Sequence, residues 1–140
     1  MRLLRKLRDD RRGTAIIELA FALPVLIIMM WAIIQLGLVF RAMSGIQHGL
    51  GEGARYATLC QSPTSSGCAA PNTTSIKNKI TATVYGIGPG SFTIPTPVSG
   101  NADGANYLDL KVTYTQATDL LLLRGPTITV SRSKRVWISS

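Results

Sequence analysis

Charged residues are scarce in this 140-residue chain, 16% of the total, and from residue 19 to residue 40 there are none. A soluble domain of this length has room for a single core and spreads its apolar residues along the chain at helix or strand period. The uncharged run therefore excludes an ordinary soluble domain. The sequence has one histidine and two cysteines, too few for a zinc site of four Cys/His ligands, so neither a metal nor a cofactor is expected. It lacks an acid pair, a nucleophile–base set and a phosphate-cradling glycine loop, and an enzyme is not expected. Disorder is excluded as well, because hydrophobic residues make up 46% of the chain. What is left is a membrane-anchored chain with one small domain.

The formal net charge of +8 divides unevenly. Residues 1–13 carry Arg2, Arg5, Lys6, Arg8, Arg11 and Arg12 against Asp9 and Asp10. Half of the excess thus lies directly before the hydrophobic run, where the positive-inside rule keeps it in the cytoplasm. Residues 19–40 form a helix of roughly 33 Å, enough for a hydrocarbon core of about 30 Å. Helix is the form that satisfies every backbone group there, with Pro24 as a tolerated kink. The apolar run is longer than the core of a secretory signal, and no small-residue cleavage site follows it closely. A single-pass membrane protein with its N-terminus inside is expected, its C-terminal domain lying beyond the inner membrane. Gln35, the polar side chain within the run, is expected to meet a neighbouring helix or the far headgroups. Met29, Met30 and Trp31 are expected to pack against lipid or helices.

In an oxidising compartment Cys60 and Cys68 are expected to form a disulfide that closes a short loop. By the chain-entropy model this stabilises by about 2–3 kcal/mol. The alternative is two free thiols.

Glu18 is the most informative residue. A carboxylate at the bilayer centre costs about 2.5–3.5 kcal/mol, less near the interface, and persists with a partner or local water. It stands five residues after Gly13, at the mouth of the apolar helix and behind a basic leader. That arrangement resembles the prepilin cleavage motif of the type IV pilin superfamily. The resemblance implies a cut by a membrane prepilin peptidase between Gly13 and Thr14. The freed α-amino group of Thr14, with a reference pKa near 8, would then meet Glu18 of another subunit during assembly. Interfacial solvation of Glu18 at a helix N-terminus is the plainer alternative.

Further along, Gly53-Ala54-Arg55-Tyr56-Ala57 is similar to the stretch that follows the membrane helix in TadE-like proteins. A strand, a leucine-rich connection, Gly-Pro and a Thr/Val strand near the end of the chain also resemble that family. TadE-like proteins are minor, pilin-like components of the tight-adherence (Flp) pilus machinery. The resemblance implies a minor pilin or pseudopilin that helps to initiate or cap the pilus, with major and minor pilins as partners. Leu19 departs from the aromatic that usually follows the glutamate in major Flp pilins. With the long outer domain, it argues against the abundant filament subunit. Localisation would be the bacterial inner membrane, with the C-terminal domain periplasmic, or extracellular within a pilus.

The expected fold class is α+β: a long N-terminal transmembrane helix followed by a small antiparallel sheet domain with one short helix. The expected divisions are a leader over 1–13, a helix over 14–59 and an outer domain over 60–140. Gly45, Gly49 and Gly53 recur every four residues and share a helical face. That stripe predicts close packing against neighbouring stems; a helix broken after Arg41 is the alternative. Residues 61–74 read as a loop. Thr74 or Ser75 would cap a short helix that buries Ile76, Ile80 and Val84. Phe92 and Ile94 suggest an edge strand limited by Pro95 and Pro97, and 101–106 a turn. Leu108, Leu110, Val112 and Tyr114 alternate with polar residues in a clear strand, and 127–136 form another. Arg132 and Lys134 share the apolar parity of that last strand, which predicts a bulge near Ser131. Between the two strands, Leu120, Leu121, Leu122 and Leu123 require burial or a function. They are expected to pack on the sheet, or to form a patch for another minor pilin or the membrane surface. The basic, aromatic-containing tail 132–137 leaves a membrane-anchored module for nucleic acid or anionic surfaces as a further alternative. An uncleaved single-pass envelope scaffold is another.

Overall fold

The computed structural model describes residues 11–59, 62–64, 67–69, 71–86, 88–119 and 124–138. Its first element is one helix, α1, over Arg11–Ala57. It runs through Pro24 and past Arg41 without a break. Then come a short hairpin of β1 (Ser62–Thr64) and β2 (Gly67–Ala69), a helix α2 (Thr73–Thr83), and strands β3 (Ser91–Thr93), β4 (Val98–Ala102), β5 (Ala105–Asp119) and β6 (Arg124–Ile138). The fold is α+β, with a long apolar helix, a short helix and a small antiparallel sheet.

Strand β5 is the centre of the sheet. On one side it pairs with β3 and β4, on the other with β6, all antiparallel. Its alternation is the one read from the sequence: Leu108, Leu110, Val112 and Tyr114 turn inward onto α1. The face of α1 that meets them carries Ala42, Ile46, Leu50, Ala54 and Ala57, all buried. Their spacing of three or four residues keeps them on one stripe. Ile76 and Ile80 of α2 and Val136 of β6 complete this core.

Several local expectations change. The segment 61–74 is more than a loop, since it contains the β1–β2 hairpin and the start of α2. The cap of α2 is Asn72, whose side-chain oxygen accepts from the Thr74 N–H at 3.1 Å. Val84 is only half-buried, at the C-terminal end of α2. β4 has few apolar residues to mark it as a strand. It forms because the Asp103-Gly104 turn, with φ of 53° and 79°, folds it back onto β5. Positive φ at both central residues suits a tight hairpin, and glycine adopts it without steric cost. The bulge expected near Ser131 is absent. β6 pairs residue for residue with β5 from Asn106↔Ile138 to Ala117↔Thr127, and the register shift falls between Ala117 and Asp119 instead. Arg132 and Lys134 stay on the inner parity but are exposed. They lie on an edge strand, where inward charges also discourage pairing with another chain.

The glycine stripe does permit close packing, but its partner is this chain's own α2 region and not a neighbouring stem. A methyl group at Gly45 would overlap the Tyr85 carbonyl oxygen, at Gly49 the Val84 side chain, and at Gly53 the Ile80 side chain. Gly51, off the stripe, faces open space.

A polar ladder joins the far end of β5 to α1. The Tyr114 hydroxyl donates to Gln116 Oε1 at 2.7 Å, and Gln116 Nε2 donates to Gln35 Oε1 at 2.6 Å. All three side chains are buried. Gln35 is therefore satisfied within the chain, in place of the neighbouring helix or headgroups expected for it. Just below, Trp31 Nε1 donates to the Asp119 carbonyl at 2.7 Å.

Two predictions concern the stability of the full chain in detergent, followed by circular dichroism. Gly51→Ala should stabilise by about 0.5–1 kcal/mol through helix propensity alone. Gly45→Ala has the same propensity gain but meets backbone, and should destabilise by roughly 1–3 kcal/mol. Equal effects at the two positions would contradict the close contact. Gln35→Leu should cost about 1–3 kcal/mol by orphaning the buried Gln116 amide. Gln35→Leu combined with Gln116→Leu and Tyr114→Phe should recover part of that loss, and strictly additive losses would count against a coupled ladder.

Candidate functional site: the exposed stem

Among the described residues, almost nothing covers the lower part of α1. Ile16, Ile17, Leu19, Phe21, Leu26 and Met30 are each about 60–75% exposed. A contiguous apolar surface of this extent marks a site for a membrane or another protein. This is the one described helix long and apolar enough to cross a membrane. In water such a surface would be a large penalty; in a bilayer, helix with every backbone group bonded internally is the form allowed.

At the lower end lie Gly13, Thr14 and Glu18, the three residues of the expected cleavage motif. Gly13 has open space where a side chain would stand, and Thr14 and Glu18 are exposed. The spacing of four puts Thr14 and Glu18 one helical turn apart on the same face. All three are accessible from the side, as a protease or a second stem would require. The leader before Arg11 lies outside the described residues, as do Cys60 and Leu120, Leu121, Leu122 and Leu123. Cys68 sits on β2, opposite Pro63.

Higher up, α1 belongs to the domain. β5 runs antiparallel to it, so successive levels match. Trp31 meets Asp119 and Gln35 meets Gln116. Met43 meets Arg132, whose guanidinium lies 3.6 Å from the sulfur. Sheet contact thus begins within the 19–40 segment. The exposed strip of the upper helix is polar, with Arg41, Ser44, Gln47, His48 and Arg55. His48 tilts against the ring of Tyr85, with centroids 5.8 Å apart.

The basic tail is not one patch. Strand alternation sends Arg132 and Lys134 toward the helix side, and Ser133, Arg135 and Trp137 to the outer face. There Arg135 is engaged by a two-pronged pairing with Asp109 at 2.8 and 2.9 Å, and lies 4.0 Å from the ring centre of Tyr107. Tyr107 in turn meets Trp137 edge to face at 5.6 Å. The hydrogen bond from Arg135 holds the Asp109 carboxyl below its usual range. Among the described residues no group of three or more His, Cys, Asp or Glu side chains converges as a metal site would.

The signal that reasoning from sequence missed is Trp31. It reads as a lipid-facing aromatic by composition, and nothing local announces a partner 88 residues away.

A family model for TadE-like proteins matches residues 13–55. The match begins at Gly13 and covers nearly all of α1, stopping two residues short of its end; α2 and the sheet lie outside it. No curated protein and no solved structure gives a significant match. The matched residues are the ones whose exposed apolar surface and buried small-residue stripe define the stem, so the similarity to TadE-like proteins is a similarity of the stem, over less than a third of the chain.

Proposed function

We propose that this protein is a minor pilin or pseudopilin of a Tad (Flp) pilus, with a structural, non-enzymatic role. Its basic leader stays in the cytoplasm, its stem crosses the inner membrane once, and its α+β domain lies in the periplasm or on the pilus. Prepilin peptidase cuts between Gly13 and Thr14, leaving a mature chain of residues 14–140. The stem then leaves the lipid for a bundle of pilin stems and helps to initiate or cap the filament.

The observation that carries this reading is a carboxylate exposed on the first turns of an otherwise bare apolar helix. Glu18 faces out one turn from Thr14, on the segment the TadE-like family matches. Charge on Glu18 is unfavourable near lipid unless compensated. A cationic terminal amine from another subunit compensates it and draws the two stems together. The amine exists once the leader is removed.

Intact mass and N-terminal sequencing of the protein expressed with and without prepilin peptidase provide the test. The chain should begin at Thr14 with the peptidase present and at Met1 without it. Glu18→Gln should be cleaved normally yet fail to co-purify with partner pilins. A wild-type chain that begins at Met1 beside active peptidase would overturn the assignment in favour of an uncleaved envelope scaffold.

The reading also carries the disulfide between Cys60 and Cys68, in support of which the chain has no other cysteine. Alkylation of the protein isolated from the periplasmic side should modify neither cysteine before reduction and both after it. Modification without reduction would mean free thiols.

A further inference from the structure

We infer that the free edge of β6 is a pairing site for an acidic strand of another protein, one that runs back toward the membrane. The edge itself depends on the sheet alone. The direction of the partner rests on α1 being the membrane anchor, and neither depends on cleavage at Gly13.

β6 ends the sheet. It pairs with β5 on one side, and among the described residues no strand pairs with it on the other. Which of its backbone groups are free follows from the hairpin that opens β5. The two-residue turn Asp103-Gly104 joins the pair Ala102↔Ala105, and such a turn is closed by a hydrogen-bonded pair. Alternate residues from Ala105 onward therefore direct N–H and C=O toward β4, and the residues between them toward β6. The register with β6 is unbroken from Asn106↔Ile138 to Ala117↔Thr127. Carried across it, the alternation leaves Thr127, Thr129, Ser131, Ser133, Arg135 and Trp137 with N–H and C=O on the open side. This stretch of β6 has neither proline nor bulge. Small hydroxyl side chains at 127, 129, 131 and 133 leave a backbone room to approach.

Protein edges of this kind are guarded by proline, bulges or charge, and here the guard is charge. Arg132 and Lys134 project on the stem side, are exposed, and have no carboxylate partner among the described residues; the ion pair on this strand joins Arg135 to Asp109. An opening of about 510 Å³ lies between β6 and α1, with Gly51, Arg55 and Thr58 on one wall and Lys134 and Trp137 on the other. Gly51 faces open space, which keeps the helix wall low. A strand added at the edge would turn every second side chain toward that opening. Cationic side chains would be repelled there by Arg55, Arg132 and Lys134, and carboxylates would pair with them. The charges that keep like strands away thus select an acidic one.

A second copy of this chain is not that partner. β5 runs antiparallel to α1, so β6 runs away from the membrane, and so do β3 and β4. A copy anchored in the same bilayer is related by rotation about the membrane normal. The edges of its main sheet therefore also run upward and could meet β6 only in parallel. Pairing β6 with β6 would moreover set Arg132 and Lys134 against themselves. β1 and β2 are three residues each, too short to cover the edge. Antiparallel pairing is the more stable per residue, and it needs a descending strand from a different protein.

The test uses the full chain in detergent and fluorescent peptides in which glutamate alternates with valine or threonine. The glutamate peptide should bind, as read by anisotropy, and its lysine counterpart should not. Amide exchange followed by NMR should slow at Thr129, Ser131 and Ser133, and stay unchanged at Val130 and Arg132, which already bond to β5. Methylating the peptide nitrogens between the glutamates, the ones that face β6, should weaken binding many-fold. So should Ser131→Pro, whose lost N–H lies on the open side, with the circular dichroism of the chain unchanged. Arg55→Glu with Lys134→Glu, which leaves the backbone intact, should reverse the preference to the lysine peptide. Failure of the glutamate peptide to bind would overturn the inference. So would a methylated peptide that binds as tightly as its parent, or a preference that the two glutamates do not reverse. The uncleaved chain serves as well as the mature one, so a negative result leaves the pilin reading standing.

Discussion

A single helix has to satisfy two solvents, and the architecture follows from where one gives way to the other. Between Glu18 and Trp31 the surface of α1 is apolar all round and, among the described residues, almost wholly uncovered. Above it, one stripe packs on β5 and a second on the α2 region, while the exposed remainder stays apolar as far as Phe40 and is polar from Arg41 onward. The polar ladder of Tyr114, Gln116 and Gln35 sits at this transition. It lets a hydrogen-bonding side chain persist inside a segment with no charge, because each buried group finds a partner. With the Trp31–Asp119 bond just below, it fixes the register of β5 against the stem at that level.

Function divides along the same line. The TadE-like match covers the stem and leaves the outer domain unaccounted for. The stem holds an accessible glycine, an exposed carboxylate and an uncovered apolar surface, the features on which the proposed assembly rests. The outer domain shows a different character. Its outer face carries Tyr107, Arg135, Asp109 and Trp137, a cluster in which Arg135 and Asp109 pair with each other.

Much of this was legible in the sequence, for physical reasons that differ from one element to the next. Hydrophobic composition alone marks α1, because a lipid-facing helix cannot hide its nature. β5 is legible through strict alternation, since one face is core and the other is not. The stem's charge motif is legible because carboxylates are rare in such places. Three things were not. β4 carries little apolar signal and owes its existence to the turn beside it. β1 and β2 are three residues each, too short to show a period. The partners of Gly45, Gly49, Gly53, Gln35 and Trp31 are set by tertiary topology. Spacing tells that a surface admits close approach, but not which backbone arrives.

The buried glycines have a consequence for how such subunits can crowd together. With Gly45, Gly49 and Gly53 roofed over by α2, the notch that would seat a foreign backbone is already full. A neighbour approaching the upper stem meets Arg41, Gln47, His48 and Arg55 and their hydration. In a bundle of the kind proposed, intimate helix-to-helix contact would be confined to the lower reach of the rod, with the heads above as spacers. Subunits shaped this way would splay there like the ribs of a fan, narrow at the root and wide at the rim.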